Sequence, residues 1–160
     1  MIARFAIALV ALFFAGDAFS RSLDSISSCD HLFTISNVNN YNIRLKSSKK
    51  VYEVYLGHDL NGGSIDPVAS MFVVYGLPKN INLDNPQLMT VSVYTNLTRP
   101  IIVERINLAG GIYAASFSKD HRFIIINTRF GDVIFDIKRK KTTALSLAAP
   151  TKIELTECKN

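Results

Sequence analysis

Two cysteines and three histidines are all that this 160-residue chain holds of the residues most used for metal binding and proton transfer. It has no closely spaced cysteine pair, no His-Glu-x-x-His and no Gly-x-Ser-x-Gly, so the common zinc sites and serine nucleophile elbows have nothing to be built from. The lone Gly62-Gly63-Ser64 ends at Pro67 and lacks the strand-to-helix context that lets backbone amides cradle a phosphate, so it reads as a loop between units. No catalytic residue, metal ligand or cofactor is expected. Long apolar runs are equally scarce. The one that stands out, Phe5–Ala15, follows Arg4 and precedes Ala18-Phe19-Ser20, the pattern of a secretory signal peptide over residues 1–20, and it is too short to span a bilayer.

The expectation is a secreted chain with no transmembrane segment after cleavage, a flexible lead-in at 21–28 and a single domain at 29–160. Lys and Arg number 18 against 13 Asp and Glu, a net charge of +5, and the leader holds one of each sign in Arg4 and Asp17. That balance permits attraction to anionic surfaces and does not point to nucleic acid. Cys29 and Cys158 stand at opposite ends of the mature chain, and in an oxidising compartment their simplest fate is one bridge. Two free thiols or intermolecular pairing are the alternatives. Asn96-Leu97-Thr98 is an N-glycosylation sequon.

What is plentiful is strand-forming sequence. Ile112–Phe117, Arg122–Ile126, Asp132–Ile137 and Thr142–Leu147 are short runs rich in β-branched and aromatic residues, separated by turns: a four-stranded antiparallel meander. The unit recurs. Asp30-His31-Leu32-Phe33-Thr34-Ile35-Ser36-Asn37 returns ninety residues later as Asp120-His121-Arg122-Phe123-Ile124-Ile125-Ile126-Asn127, identical at five of eight positions. Last strands beginning at Val51, Ile101 and Thr142 are fifty and then forty-one residues apart, so one further unit fits between the matched pair. A period of about 40–50 residues in a β-rich chain belongs to architectures whose units bury their faces on one another. The fold class is therefore all-β, built from three four-stranded repeats. Unit one lacks a strand before Asp30, and Lys152–Glu157 is expected to supply it, closing the chain ends together and setting Cys158 beside Cys29.

Thr90–Pro150 resembles the blades of β-propellers of the WD-repeat and lactonase-like surface-layer kinds, through Phe117-Ser118-Lys119-Asp120 and Gly131-Asp132-Val133-Ile134-Phe135-Asp136. The resemblance implies architecture and not activity. Propellers typically carry 4–8 blades and this chain holds three, which leaves two alternatives: two chains joining as a homodimer to complete a ring, or closure as a β-trefoil. Leu108–Ser116 is faintly similar to the terminal segment of fungal guanyl-specific ribonucleases, without the histidine such enzymes carry there.

The turn before each unit's last strand holds cations: Lys49 and Lys50, then Arg99, then Lys138, Arg139, Lys140 and Lys141. Units related by rotation place these turns on one edge, a basic rim facing an anionic polysaccharide or a partner protein. The expected function is a secreted non-catalytic binding protein, which also describes a host-directed effector. The other class is a small hydrolase or lactonase-like enzyme, which needs His31, His121 or the strand glutamates Glu53 and Glu104 gathered in one pocket. Asp30-His31 and Asp120-His121 on one rim would allow a metal site; as turn residues they cap their own backbone instead.

Overall fold

The computed structural model describes residues 25–39, 41–80, 88–145, 153–156 and 158. The expected leader, residues 21–24 of the lead-in, residues 81–87, residues 146–147 of the last expected run, and Lys152 and Glu157 of the expected closing strand lie outside them. The described residues form twelve strands and no helix. Unit one holds β1 (Ser25–Ser27), β2 (Phe33–Asn39), β3 (Asn42–Ser47) and β4 (Val51–Tyr55). Unit two holds β5 (Gly62–Asp66), β6 (Met71–Gly76), β7 (Met89–Thr95) and β8 (Ile101–Leu108). Unit three holds β9 (Ile112–Phe117), β10 (Phe123–Thr128), β11 (Gly131–Asp136) and β12 (Lys141–Ala144).

Every neighbouring pair is antiparallel, and each sheet takes its four strands from one unit in chain order. The result is three blade-like sheets. A β-trefoil, which shares strands between units in one barrel, does not fit these pairings.

Side chains alternate across a strand, and unit two uses both of its faces. Phe72, Val74 and Tyr94 are buried with Ile26, Ile35, Ile43 and Leu45 of unit one, while Met71, Val73, Val91 and Val93 are buried with Ile112, Phe117, Ile124, Ile126 and Phe135 of unit three. Sheet two is thus the filling between sheets one and three, which explains why all six residues of β6 are buried. Phe72 stacks on Tyr94 with ring centroids 4.7 Å apart; emptying that position costs about 3–5 kcal/mol.

Two expected loops are strands. Ser25–Ser27, assigned to the lead-in, pairs with Thr34–Ser36 as β1, and Gly62–Asp66, assigned to an inter-unit loop, pairs with Met71–Tyr75 as β5. The glycines there answer to close approach and not to a turn. A Cβ on Gly62 would collide with the Tyr75 ring, and one on Gly63 with the carbonyl of Val73.

The chain ends also meet differently from expectation. With β1 already beside β2, Lys152–Glu157 is not needed to complete unit one. The described residues 153–156 instead run along the end of β9 in unit three, where Lys119 N donates to Glu154 O at 2.8 Å and Thr156 N to Phe117 O at 2.9 Å. Cys158 then reaches unit one through a disulfide to Cys29, with Cα atoms 5.0 Å apart.

Candidate functional site

In each up-and-down unit the first and third turns lie at one end of the sheet and the second at the other. The three sheets share the same sense, because contacts join their corresponding ends. At one end, His121 in the β9–β10 turn donates from Nδ1 to Asp66 Oδ2 at 2.5 Å, at the end of β5. At the opposite end, Tyr75 donates its hydroxyl to the carbonyl of Tyr113, and the Lys79 ammonium lies 5.5 Å over the Tyr41 ring. The first end is the rim that carries the expected cations.

The first turns of units one and three are superposable in detail. Ser28 Oγ donates to Asp30 Oδ1 at 2.5 Å and Ser118 Oγ to Asp120 Oδ1 at 2.6 Å. The same Asp oxygens accept from Leu32 N and Arg122 N, and His31 and His121 both adopt left-handed backbone, φ 56° and 57°. The serine hydroxyl first and the backbone amide second hold each carboxyl below its ordinary value. These aspartates cap turns. The histidines part company: His121 touches Asp66, whose Oδ1 accepts from Val68 N and Ala69 N, whereas His31 is exposed. Among the described residues no three His, Cys, Asp or Glu side chains gather as a metal site. Glu53 pairs with Arg44 at 2.8 Å on the outer face of sheet one, and Glu104 sits in β8, so the strand glutamates and the rim histidines belong to separate places.

The cationic turns occupy equivalent places before β4, β8 and β12, and Lys49, Lys50, Arg99, Lys138, Arg139, Lys140 and Lys141 are all exposed. Local hydrogen bonds shape each turn. Ser47 N donates to Lys50 O, Arg99 N to Asn96 O, and Arg139 N to Asp136 Oδ1. Arg139 also lies 3.9 Å from Asp136; no ion pair among the described residues engages the other six. Asn96 is half-buried in its turn, and its Oδ1 accepts from Thr98 N, Thr98 Oγ1 and Arg99 N. Leu97 anchors the turn in the core.

Beside the third basic turn, Phe123 floors two grooves. One, of about 430 Å³, is lined by Lys119, Asp120, Phe123, Ile153 and Glu154. The other, of about 240 Å³, is lined by Phe123, Ile134, Asp136, Arg139, Lys141 and Thr143. The guanidinium of Arg122 lies 5.1 Å from the Phe123 ring centre, and Lys119 pairs with Glu154 at 3.0 Å across the first groove. Sequence reasoning had no access to these grooves, because Ile153 and Glu154 reach Phe123 only through the long-range pairing with β9.

His58, the one histidine the sequence left without a role, is fully buried. Its Nδ1 donates to Asp59 O at 2.7 Å, and its Nε2 accepts from Ser92 Oγ at 2.9 Å. Burial, partly offset by that carbonyl, pulls the imidazole down to about 4. A His and a Ser in contact invite comparison with a nucleophile pair, but both have no exposed surface; they tie the inter-unit connection to sheet two.

The sequence matches no family model and no curated protein. Among solved structures it is similar to a dihydro-heme d1 dehydrogenase, NirN, in complex with DHE, at 12% identity and a TM-score of 0.32, over 78% of this chain and 36% of that one. The chain spans about a third of the length of that structure, and so slight a likeness says nothing of ligand or chemistry.

Proposed function

We propose that this chain is a secreted, non-catalytic binding module, its three sheets propeller-like blades, and that it recognises an anionic partner through the rim carrying Lys49, Lys50, Arg99 and Lys138–Lys141. The observation that supports this reading is the shared position of the three turns at corresponding sheet ends, with seven exposed cations of which, among the described residues, only Arg139 is within ion-pair distance of an acid. Cations gathered on one edge act together on an extended anion, whereas the same charges scattered over a sphere would be largely screened from one another. The leader over residues 1–20 and the disulfide both suit an oxidising, extracellular setting, and the sequon at Asn96 would then be open to glycosylation.

The test is retention on immobilised heparin across a salt gradient. The wild-type chain elutes late, and substituting Lys138, Arg139, Lys140 and Lys141 by Gln moves elution to markedly lower salt. Elution unchanged by the four substitutions overturns the basic-rim reading.

A further inference from the structure

The rim carries something a polysaccharide does not require. Ten large apolar side chains are exposed among the described residues, and they divide by end of the molecule. Leu32 and Val68 sit in the first turns of units one and two. Val51, Ile101 and Ile102 open the last strands of units one and two, directly after Lys50 and Pro100, and Leu155 lies beside Ser118. All six are aliphatic and all six stand at the basic rim. The other four, Val38, Tyr55, Tyr113 and Phe130, stand at the opposite end. Val68 is 78% exposed and Leu32 57%, at the tips of turns whose backbone is already satisfied by Asp66 and Asp30, so no fold requirement holds aliphatic side chains there.

A surface that presents aliphatic tips among unpaired cations suits a bilayer with anionic headgroups. The cations meet the headgroup charge while the aliphatic side chains leave water for the acyl boundary. We infer that the rim docks on an anionic lipid surface, with Leu32, Val68 and Ile101 entering the interface and Lys49, Lys50, Arg99 and Lys138–Lys141 resting on headgroups. This rests on the rim reading above and narrows its partner. An anionic polysaccharide shares the charge but offers nothing apolar for the tips to enter. Among the described residues no helix is long and apolar enough to cross a membrane.

The experiment uses the chain as recovered from a secreting host, its N-terminus read by mass spectrometry, in co-sedimentation with vesicles of phosphatidylcholine alone or with about a third phosphatidylserine. Binding is expected only to the anionic vesicles and weakens in high salt. The triple variant Leu32→Gln, Val68→Gln, Ile101→Thr lowers vesicle binding by roughly tenfold or more and leaves heparin retention unchanged; neutralising Lys138–Lys141 lowers both. Because the chain has no tryptophan, Val68→Trp provides a single fluorophore whose emission shifts to the blue on anionic vesicles and not on heparin. Vesicle binding indifferent to the triple variant, or an introduced indole that stays in water on bound vesicles, overturns the lipid inference and leaves the rim reading standing. Vesicle binding and heparin retention both indifferent to the cation variants overturn the two together.

Discussion

Units one and three open with the same phrase and use it at opposite ends of the stack. The identical strand residues, Phe33, Ile35 and Asn37 against Phe123, Ile125 and Asn127, are alternate positions and so share one face of the second strand. The positions that differ, Thr34 and Ser36 against Ile124 and Ile126, form the other face. In unit three that other face lies on sheet two, with Ile124 and Ile126 fully buried. In unit one it is the partly exposed end of the stack, where Arg44 and Glu53 also pair. The identical face packs on sheet two in unit one and turns away from it in unit three, whereas the diverged face is aliphatic where sheet two covers it and polar where no sheet does. A polar outer face is what a terminal repeat needs.

The strongest way to break the comparison is to cut the link between its two members. Cys29→Ser together with Cys158→Ser frees the end of unit three from the first turn of unit one and opens a loop of 129 residues, which lowers unfolding free energy by about 4–5 kcal/mol in the loop-entropy account. Urea unfolding with and without reductant measures it. Exchanging the diverged positions comes next. Ile126→Ser buries a hydroxyl and leaves a void against sheet two, at about 3–4 kcal/mol, whereas Ser36→Ile on the open face changes stability by less than about 0.5 kcal/mol. Equal effects from the two exchanges would erase the distinction between an inner and an outer face.

The junctions between units sharpen it further. His58 ties the connection after unit one into sheet two and is neutral when buried. Its folded value of about 4 lies below the ordinary 6.5, so between these the unfolded chain takes up a proton that the folded chain refuses. Stability from this residue is full above about pH 6.5 and declines as pH falls to 4, by about 3 kcal/mol in total. Urea midpoints across that range show the decline in the wild type, and His58→Gln flattens it. The smallest effect belongs to the rim histidines: His121→Ala removes a bond to the buried Asp66 and costs about 1–2 kcal/mol, while His31→Ala, at the matching exposed turn, costs less than about 0.5 kcal/mol.

Much of unit three was legible because its runs carry strand composition between clear turns, and β9 has the bounds its sequence suggests. Gly62-Gly63 misled because turn chemistry and close backbone approach select the same residue; only the positions of Tyr75 and Val73 tell them apart. The burial of His58 had no local signal, since its partner Ser92 is thirty-four residues away. The two cysteines pointed to a meeting of the chain ends without saying which sheet edge the last segment would follow. Cations in turns could be placed by counting strands, but a lone Leu32 or Val68 in a turn has no period to read. The aliphatic half of the rim became visible only when the three sheet ends were aligned.

The central claim, that one end of this three-sheet molecule is its binding surface, is tested most directly by hydrogen exchange on the chain with and without anionic vesicles. Binding is expected to slow exchange at residues 28–32, 48–50, 67–70, 96–100 and 137–140, and to leave the β10–β11 turn around Phe130 unchanged. Slowing centred on Phe130 and Tyr113, with the basic turns unaltered, would contradict it.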